Sequence, residues 1–348
     1  MSPSASDTGG GRMLAARLHA VGDVRVAPEP APDEPAPGSS LVAVTSVGIC
    51  GSDLHWFTDG GIGENRIEHP VVPGHEFAGV ALTGPYAGRR VAVDPAIPCR
   101  LCEMCRSGYH NLCPTVEFAG HGAVDGGLRE QLVWPDHLLH PLPDDLSDDA
   151  GALLEPLGVA IHAVSVGHVR EGADVLVVGA GPIGVLAVQV ARQSGAGRVF
   201  AVEPLAHRRA TAQRCGTDAV WSAGDGAQAV LDATDGRGVD VVIELAGTDA
   251  AIATAVAGVR PGGRIALGGI PSEDASSFPA AVARRKGLTF AMVRRMNDTY
   301  PRAIELATTA IDLDQLVTER HPLTETAKAF GSAAERHGDK VVVAVSES

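Results

Sequence analysis

Four of the six cysteines fall between Cys99 and Cys113, in the stretch CRLCEMCRSGYHNLC, at the spacing C-x2-C-x2-C-x7-C. Sulfurs this close together form either disulfides or a metal site. Disulfide frameworks serve small secreted domains that cannot build a core. A chain of 348 residues, 45% of them hydrophobic, can bury a large core without staples. Its opening, MSPSASDTGGGR, has no apolar run of the secretory-signal kind. A reducing compartment, the cytoplasm, is therefore expected, and there Cys99, Cys102, Cys105 and Cys113 read as metal ligands. Four thiolates close a tetrahedral zinc shell and leave no position open for chemistry. Redox and iron–sulfur roles are the alternatives.

A second set of donors is dispersed. GICGSDLH places Cys50, Ser52, Asp53 and His55 on one short segment, VPGHEFAG places His75 beside Glu76, and LLEPLG carries Glu155. One Cys, one His and one carboxylate hold zinc while leaving room for water or an alcohol. With two carboxylates available, one can bind directly while the other acts through water or exchanges with it. Singly, each has an ordinary reading as a buried thiol, a core histidine or a solvated carboxylate. The company of a four-cysteine lobe and a nucleotide-type turn in the same chain is what gives them weight.

That turn is Gly179-Ala180-Gly181-Pro182-Ile183-Gly184, in VLVVGAGPIG. It follows an apolar strand, opens a helix and precedes a second strand ending at Glu203, the context a dinucleotide turn requires. Gly179 permits the tight turn, Gly181 lets the backbone approach a pyrophosphate, and Gly184 lets the helix pack close to the sheet. The helix N-terminus offers amides and a positive dipole end to the phosphates. Glu203, 24 residues beyond Gly179, is placed to bind both ribose hydroxyls and to repel a 2′-phosphate, which favours NAD over NADP. His207, Arg208 and Arg209 follow closely and weaken that preference. A purely structural glycine turn is the alternative.

The elements that must position these residues come in two styles. From Met13 to Pro156 the text is strand-like and broken by turns, as in LVAVTSVGIC and EFAGVAL, with PEPAPDEPAPG as a stiff surface connector. From Leu157, apolar strands such as VDVVIELAG and GGRIALGGI alternate with Ala-rich helical segments, so a parallel sheet covered on both faces is expected. The last segment, from Tyr300, shows helices and one strand and is expected to return to the first domain. The expected divisions are an unstructured tail over 1–12, one domain over 13–156 and 299–348, and a second over 157–298. A formal net charge of −14 argues against nucleic acid or an anionic membrane as partner. No run of about 18 apolar residues suggests a membrane span. Cys215 reads as a packed thiol, and Glu117 and Glu130 as solvent-exposed.

GICGSDLH, PGHEFAG, the cysteine lobe, LLEPLGVAIHA and GAGPIG occur in an order that resembles the zinc-dependent medium-chain alcohol dehydrogenase family, from Leu14 to Val345. Glutamates at Glu76 and Glu155 make the chain similar to the polyol branch (sorbitol, idonate, threonine and butanediol dehydrogenases). The resemblance implies an α/β chain with a β-rich GroES-like catalytic domain and a doubly wound Rossmann domain. It implies two zinc ions, NAD, a homodimer or homotetramer, and interconversion of a secondary alcohol and its ketone by hydride transfer. Cys50, His75, Glu76 and Glu155 would form the catalytic zinc site. Zinc would make the bound hydroxyl more acidic, Ser52 would contact its oxygen, His55 would relay the proton, and Asp53 would orient ligands. Pro182, Ile183, Arg208, Ile270 and Arg295 would join the cofactor contacts. RRMNDTYPRAIEL would bring Arg295 near cofactor and substrate, Arg294 being the other register. EFAGHGAVDGGLRE would supply Phe118 and His121 to the substrate pocket, His121 standing where a smaller polar residue is expected. Rival readings are a general alcohol or threonine-type dehydrogenase, a zinc-free quinone reductase, which would lack both metal sets, and a cofactor-binding protein with an inactive site.

Overall fold

The computed structural model describes residues 11–346 apart from Glu64. Most of the expected tail therefore lies outside the described residues. Arg12 instead opens the strand Arg12–Ala20, which pairs antiparallel with Asp23–Pro30, and its guanidinium donates to the Pro28 carbonyl at 2.7 Å.

The second half of the chain builds a six-stranded sheet in which every pairing is parallel. Its first strand, Asp174–Val178, is buried along its whole length, as an apolar β-branched run covered on both faces must be. The spatial order is Ala219–Trp221, Arg198–Val202, Asp174–Val178, Val239–Glu244, Val259–Leu267, Thr289–Met292. The order reverses beside Asp174–Val178, and in such sheets the crevice at the carboxyl ends of the strands there is the ligand site. The glycine turn lies at that point. Gly179 adopts φ 90°, and a Cβ on Gly184 would lie 2.0 Å from the Gly179 carbonyl oxygen.

Five strands of the first half and two from the end of the chain form a seven-stranded sheet centred on Ser39–Gly48, which pairs antiparallel with Glu76–Ala81, Gln131–Pro135 and Lys340–Ala344. The returning C-terminal segment contributes two strands rather than the expected one, since Val317–Pro322 pairs parallel with Lys340–Ala344. The sequence VTERHP hides this strand: it is a sheet edge, and its alternating exposure permits charged side chains.

The helix Asp148–Val166 joins the two halves. Ser147 caps it, its hydroxyl accepting from the Ala150 amide at 2.9 Å. It packs on Glu76–Ala81 and on the helices Pro182–Gln193 and Tyr300–Thr309. One apolar cluster runs through it from Ala78 and Ala92 of the first sheet to Val175 and Ile243 of the second. The helix spans residue 157, so the chain passes from one half to the other without a break. It is also long and apolar enough to cross a bilayer, unlike anything the sequence suggested, but 67% of its apolar window is buried inside the fold. Its small Ala and Gly residues make it a core helix.

Gly184→Ala tests the fit of the first crossover helix. Helix propensity favours Ala by about 1 kcal/mol, but the backbone contact at 2.0 Å cannot be relieved by turning a side chain. We expect a net loss of about 1–3 kcal/mol, read as a lower Tm in thermal denaturation. An unchanged or higher Tm would refute the close approach.

Candidate active site

Cys50 precedes the helix Gly51–Asp59, while His75 and Glu76 stand at the start of the strand Glu76–Ala81. The fold brings one donor atom from each of these three residues within 4.8 Å of the others. Asp53 closes the helix start, its Oδ2 accepting from the Cys50 amide at 3.0 Å. Its Oδ1 stands 3.3 Å from His75 Nδ1. That contact leaves Nε2, 3.2 Å from Ser52 Oγ, as the ring nitrogen free for a metal. His55 lies three residues after Ser52 on the same helix, half-buried, with Nδ1 on Asp59 Oδ2 at 2.8 Å.

The electrostatics of the cluster are those of a cation site. Burial works against a charged His75, but Asp53 and Cys50 more than offset it and draw the ring toward the imidazolium. Glu155, on the helix Asp148–Val166, is 4% exposed and lies outside the three converging donors. Burial pushes its carboxyl up to about 8; His75 opposes the rise and Glu76 adds to it. The sequence reading missed Lys340. Its ammonium is buried against Glu76 Oε2 and donates to the Ile49 carbonyl at 2.9 Å. Burial lowers its pKa, yet Glu76 and Cys50 reverse the sign and keep it charged. A lysine heading the strand KVVVA has no local mark of burial.

The four lobe sulfurs also lie within 4.8 Å of one another, and all four thiols are free. Tetrahedral zinc with bonds of about 2.3 Å requires sulfurs roughly 3.8 Å apart, so the set fits. Backbone amides of Leu101 and Cys102 point at Cys99 Sγ and bring its thiol down to about 6.

At the carboxyl end of the strand Asp174–Val178, Gly181 caps the helix Pro182–Gln193 without a side-chain partner, leaving its first amides free for an anion. Pro182 and Ile183 begin that helix. Glu203 is buried, with Oε2 on the Ala180 amide at 2.8 Å and Oε1 on the Leu205 amide at 2.9 Å. The Arg208 guanidinium lies beside Gly181, 3.3 Å from where a Cβ would stand, and its Nε is buried without a partner. Arg209 turns away to the Glu203 and Pro204 carbonyls, and His207 is half-buried with Nε2 unpaired. Ile270, 42% exposed, follows the fifth strand at the same carboxyl edge.

Beside the metal-type cluster, where the Phe118 and His75 ring centroids are 5.3 Å apart, the Arg295 guanidinium carbon sits 3.8 Å from the Phe118 ring centroid. Arg294 is exposed. Burial lowers Arg295 to about 10, and its Nη1 is buried without a partner. His121 packs against His75, Phe118 and Trp56 at centroid distances of 5.2, 5.1 and 5.6 Å. Burial drives it down to about 3, so it is a neutral ring, with Nε2 unpaired. Glu117 is exposed, whereas Glu130 is half-buried and accepts from the Leu14 amide at 2.7 Å, a structural bond where exposure was expected. Cys215 is half-buried against the core at the end of the helix Ala206–Arg214.

Residues 36–144 match the alcohol dehydrogenase GroES-like domain, and residues 182–309 match the zinc-binding dehydrogenase family. Sorbitol dehydrogenase of Bacillus subtilis is 36% identical over 332 residues, covering 92% of this chain and 93% of that one. Among solved structures, a putative zinc-binding dehydrogenase from Sinorhizobium meliloti bound to NADP superimposes with TM-score 0.87 and 30% identity, over 96% of this chain and 100% of the other. L-idonate 5-dehydrogenase from Escherichia coli gives TM-score 0.89 and 25% identity, over 96% and 99%. With its catalytic-type cluster, four-sulfur lobe and glycine turn on a GroES-like domain and a doubly wound sheet, the chain belongs to the zinc-dependent medium-chain alcohol dehydrogenases, in the polyol branch, and is an oxidoreductase acting on CH–OH groups.

Proposed function

We propose that the protein interconverts a secondary hydroxyl of a polyol, sugar acid or related hydroxy compound and its ketone, with NAD as hydride acceptor. The observation that carries the reading is the convergence of half-buried Cys50 with buried His75 and Glu76, with Ser52 beside it and Glu155 and the Phe118–Arg295 pair near His75. Cys50, His75 and Glu76 would hold a zinc ion, whose chemistry there is Lewis acidity toward the reacting hydroxyl. The turn Gly179–Gly184, Arg208 and Glu203 would hold the dinucleotide, which supplies the hydride acceptor. Ser52 Oγ would accept the hydroxyl proton as its own proton leaves, through water or a cofactor ribose hydroxyl, toward His55. His55 receives it at the ring nitrogen not bonded to Asp59 and releases it to solvent, and Asp59 supports the imidazolium. Glu155 accepts from a neighbouring hydroxyl, while Arg295 and His121 Nε2 bind further along the substrate. Asp53 keeps the His75 ring in register. The exposed Met292 on the edge strand Thr289–Met292 suits a homodimer or tetramer.

Two zinc ions per chain should differ in lability. Four sulfurs would close the shell of a lobe ion, whereas Cys50, His75 and Glu76 would leave a position open on the other. Mild chelation followed by metal analysis should remove one ion together with activity. A fully loaded chain holding one zinc or none would refute the two-site reading.

Glu203 should set the cofactor. Its two amide bonds fix a buried carboxylate where a 2′-phosphate would come. Wild type should show the higher kcat/KM with NAD. Glu203→Ala should narrow the NAD/NADP ratio by about tenfold, even as loss of those bonds weakens both cofactors. The NADP-bound relative favours the opposite reading, which a wild-type preference for NADP would establish.

A substrate panel read by NADH absorbance tests the alcohol itself. A second hydroxyl adds one or two bonds to charged or polar partners, roughly 1–3 kcal/mol. A matched mono-alcohol should therefore fall about tenfold to a hundredfold in kcat/KM. Glu155→Gln should narrow that gap. Equal efficiency on simple primary alcohols and on every vicinal diol would make the protein a general alcohol dehydrogenase.

A further inference from the structure

The four-cysteine lobe does more than hold its own shape. Asn111 lies in the short turn His110–Leu112, between Cys105 and Cys113, and is 5% exposed. Its side chain leaves the lobe and donates from Nδ2 to the Arg294 carbonyl at 2.9 Å. Its backbone amide donates to Asn297 Oδ1 at 3.5 Å, and Asn297 Nδ2 returns a bond to the Gly108 carbonyl at 2.8 Å. His110 Nδ1 meets Asp298 at 3.1 Å. The lobe thus grips segment 294–298 on both sides of Arg295.

That grip is needed. Arg295 has φ 52° and Asp298 φ 51°, left-handed backbone that residues with a Cβ adopt only when their surroundings over-determine it. Among the described residues, Arg295 makes no side-chain hydrogen bond or ion pair. Only its ring contact with Phe118 and its own backbone hold the guanidinium over the pocket.

We propose that Asn111 holds Arg295 over Phe118, which makes the four-cysteine lobe a positioning element of the substrate pocket. The bonds to Arg294 and Asn297 fix the backbone on either side. Residue 295 is then confined to the left-handed conformation that aims its side chain. Asn111 is held in turn between Cys105 and Cys113, which a bound metal would tie together. The proposal rests on the reading of Phe118 and Arg295 as substrate-pocket residues.

The test is a double-mutant cycle of Asn111→Ala and Arg295→Ala in the zinc-loaded enzyme, on the best alcohol of the panel, with the Kd for NADH followed by fluorescence. Asn111→Ala should raise KM about tenfold, with kcat within about twofold, and with zinc content and NADH affinity unchanged. In the Arg295→Ala background the same change should leave KM where it was. Asn111→Asp keeps the shape but replaces the donor facing the Arg294 carbonyl with a repelling oxygen, so it should behave like Ala. Asn297→Ala approaches the seam from the other side and serves if Asn111 variants do not fold. Equal losses in both backgrounds, or an unmoved KM in both Asn111→Ala and Asn297→Ala, would overturn the proposal. An unmoved KM in Arg295→Ala alone would show instead that Arg295 is not in the substrate pocket, and the proposal would fall with that assignment.

Discussion

The contact between Glu76 and Lys340, deep under the metal-type cluster, constrains the rest of the catalytic half. A buried Glu76 carboxylate beside the Cys50 sulfur and Asp53 is a concentration of negative charge that the fold must balance. Lys340 provides one balancing charge, and it arrives from the last strand of the chain. That strand must therefore lie against Ser39–Gly48, whose Gly48 pairs with Glu76 on one side and Val342 on the other. A Cβ on Gly48 would come 2.1 Å from Glu76 Oε2, so the missing side chain makes room for the carboxylate. Removing one partner of such a pair leaves an uncompensated buried charge, at a cost of about 3–5 kcal/mol. A C-terminal segment remote in sequence is thereby tied to the cysteine and histidine of the first fifty to eighty residues.

The second constraint is continuity across the cleft. Hydride transfer requires the alcohol site and the nicotinamide site to face each other at contact distance, yet they belong to different sheets. The helix Asp148–Val166 meets this requirement by packing on both and burying Glu155 beside His75 and Glu76. Small residues allow the close fit. A Cβ on Gly151 would meet Leu142 at 2.6 Å, and one on Gly158 would meet Met296 and Thr299 at 2.5 Å. The same helix thus sets the distance from the Glu76 strand on one side and from the segment after Arg295 on the other. Tyr300 adds a cross-tie, its hydroxyl donating to the Val93 carbonyl at 2.7 Å.

What the sequence makes legible here is local chemistry. The cysteine lobe can be read because its four donors sit in fifteen residues. The glycine turn can be read because a strand, a turn and a helix leave their marks in adjacent residues. The doubly wound sheet can be read from continuous apolar runs separated by helices. Lys340 and Asn111 are illegible for the converse reason. Each acts on a residue nearly 200 or more positions away, through a bond that no spacing encodes. The edge strand Val317–Pro322 escapes notice because half of it faces water. Helix Asp148–Val166 hides its length because Pro156 and its glycines read as breaks, although packing on both sides overrides propensity.

The pocket around Phe118 shows how polarity can be stored in an otherwise apolar cleft. Arg295 keeps its charge against the ring face, where cation–π attraction replaces part of its lost hydration. His121 stays neutral under burial and so offers a ring nitrogen without adding a second cation beside the metal-type cluster. Their unpaired nitrogens Nη1 and Nε2 are each desolvated, and a desolvated polar group without a partner costs about 1–3 kcal/mol. If Arg295 and His121 line the substrate pocket as proposed, a substrate bearing hydroxyls at the matching positions would remove both costs, whereas an apolar tail would remove neither. Selectivity for a hydroxyl-rich substrate would then come from the penalty on the wrong one as much as from attraction to the right one. On that proposal the backbone holding Arg295 in its left-handed turn would be part of the recognition, because a guanidinium free to swing into solvent would escape the penalty that makes it selective.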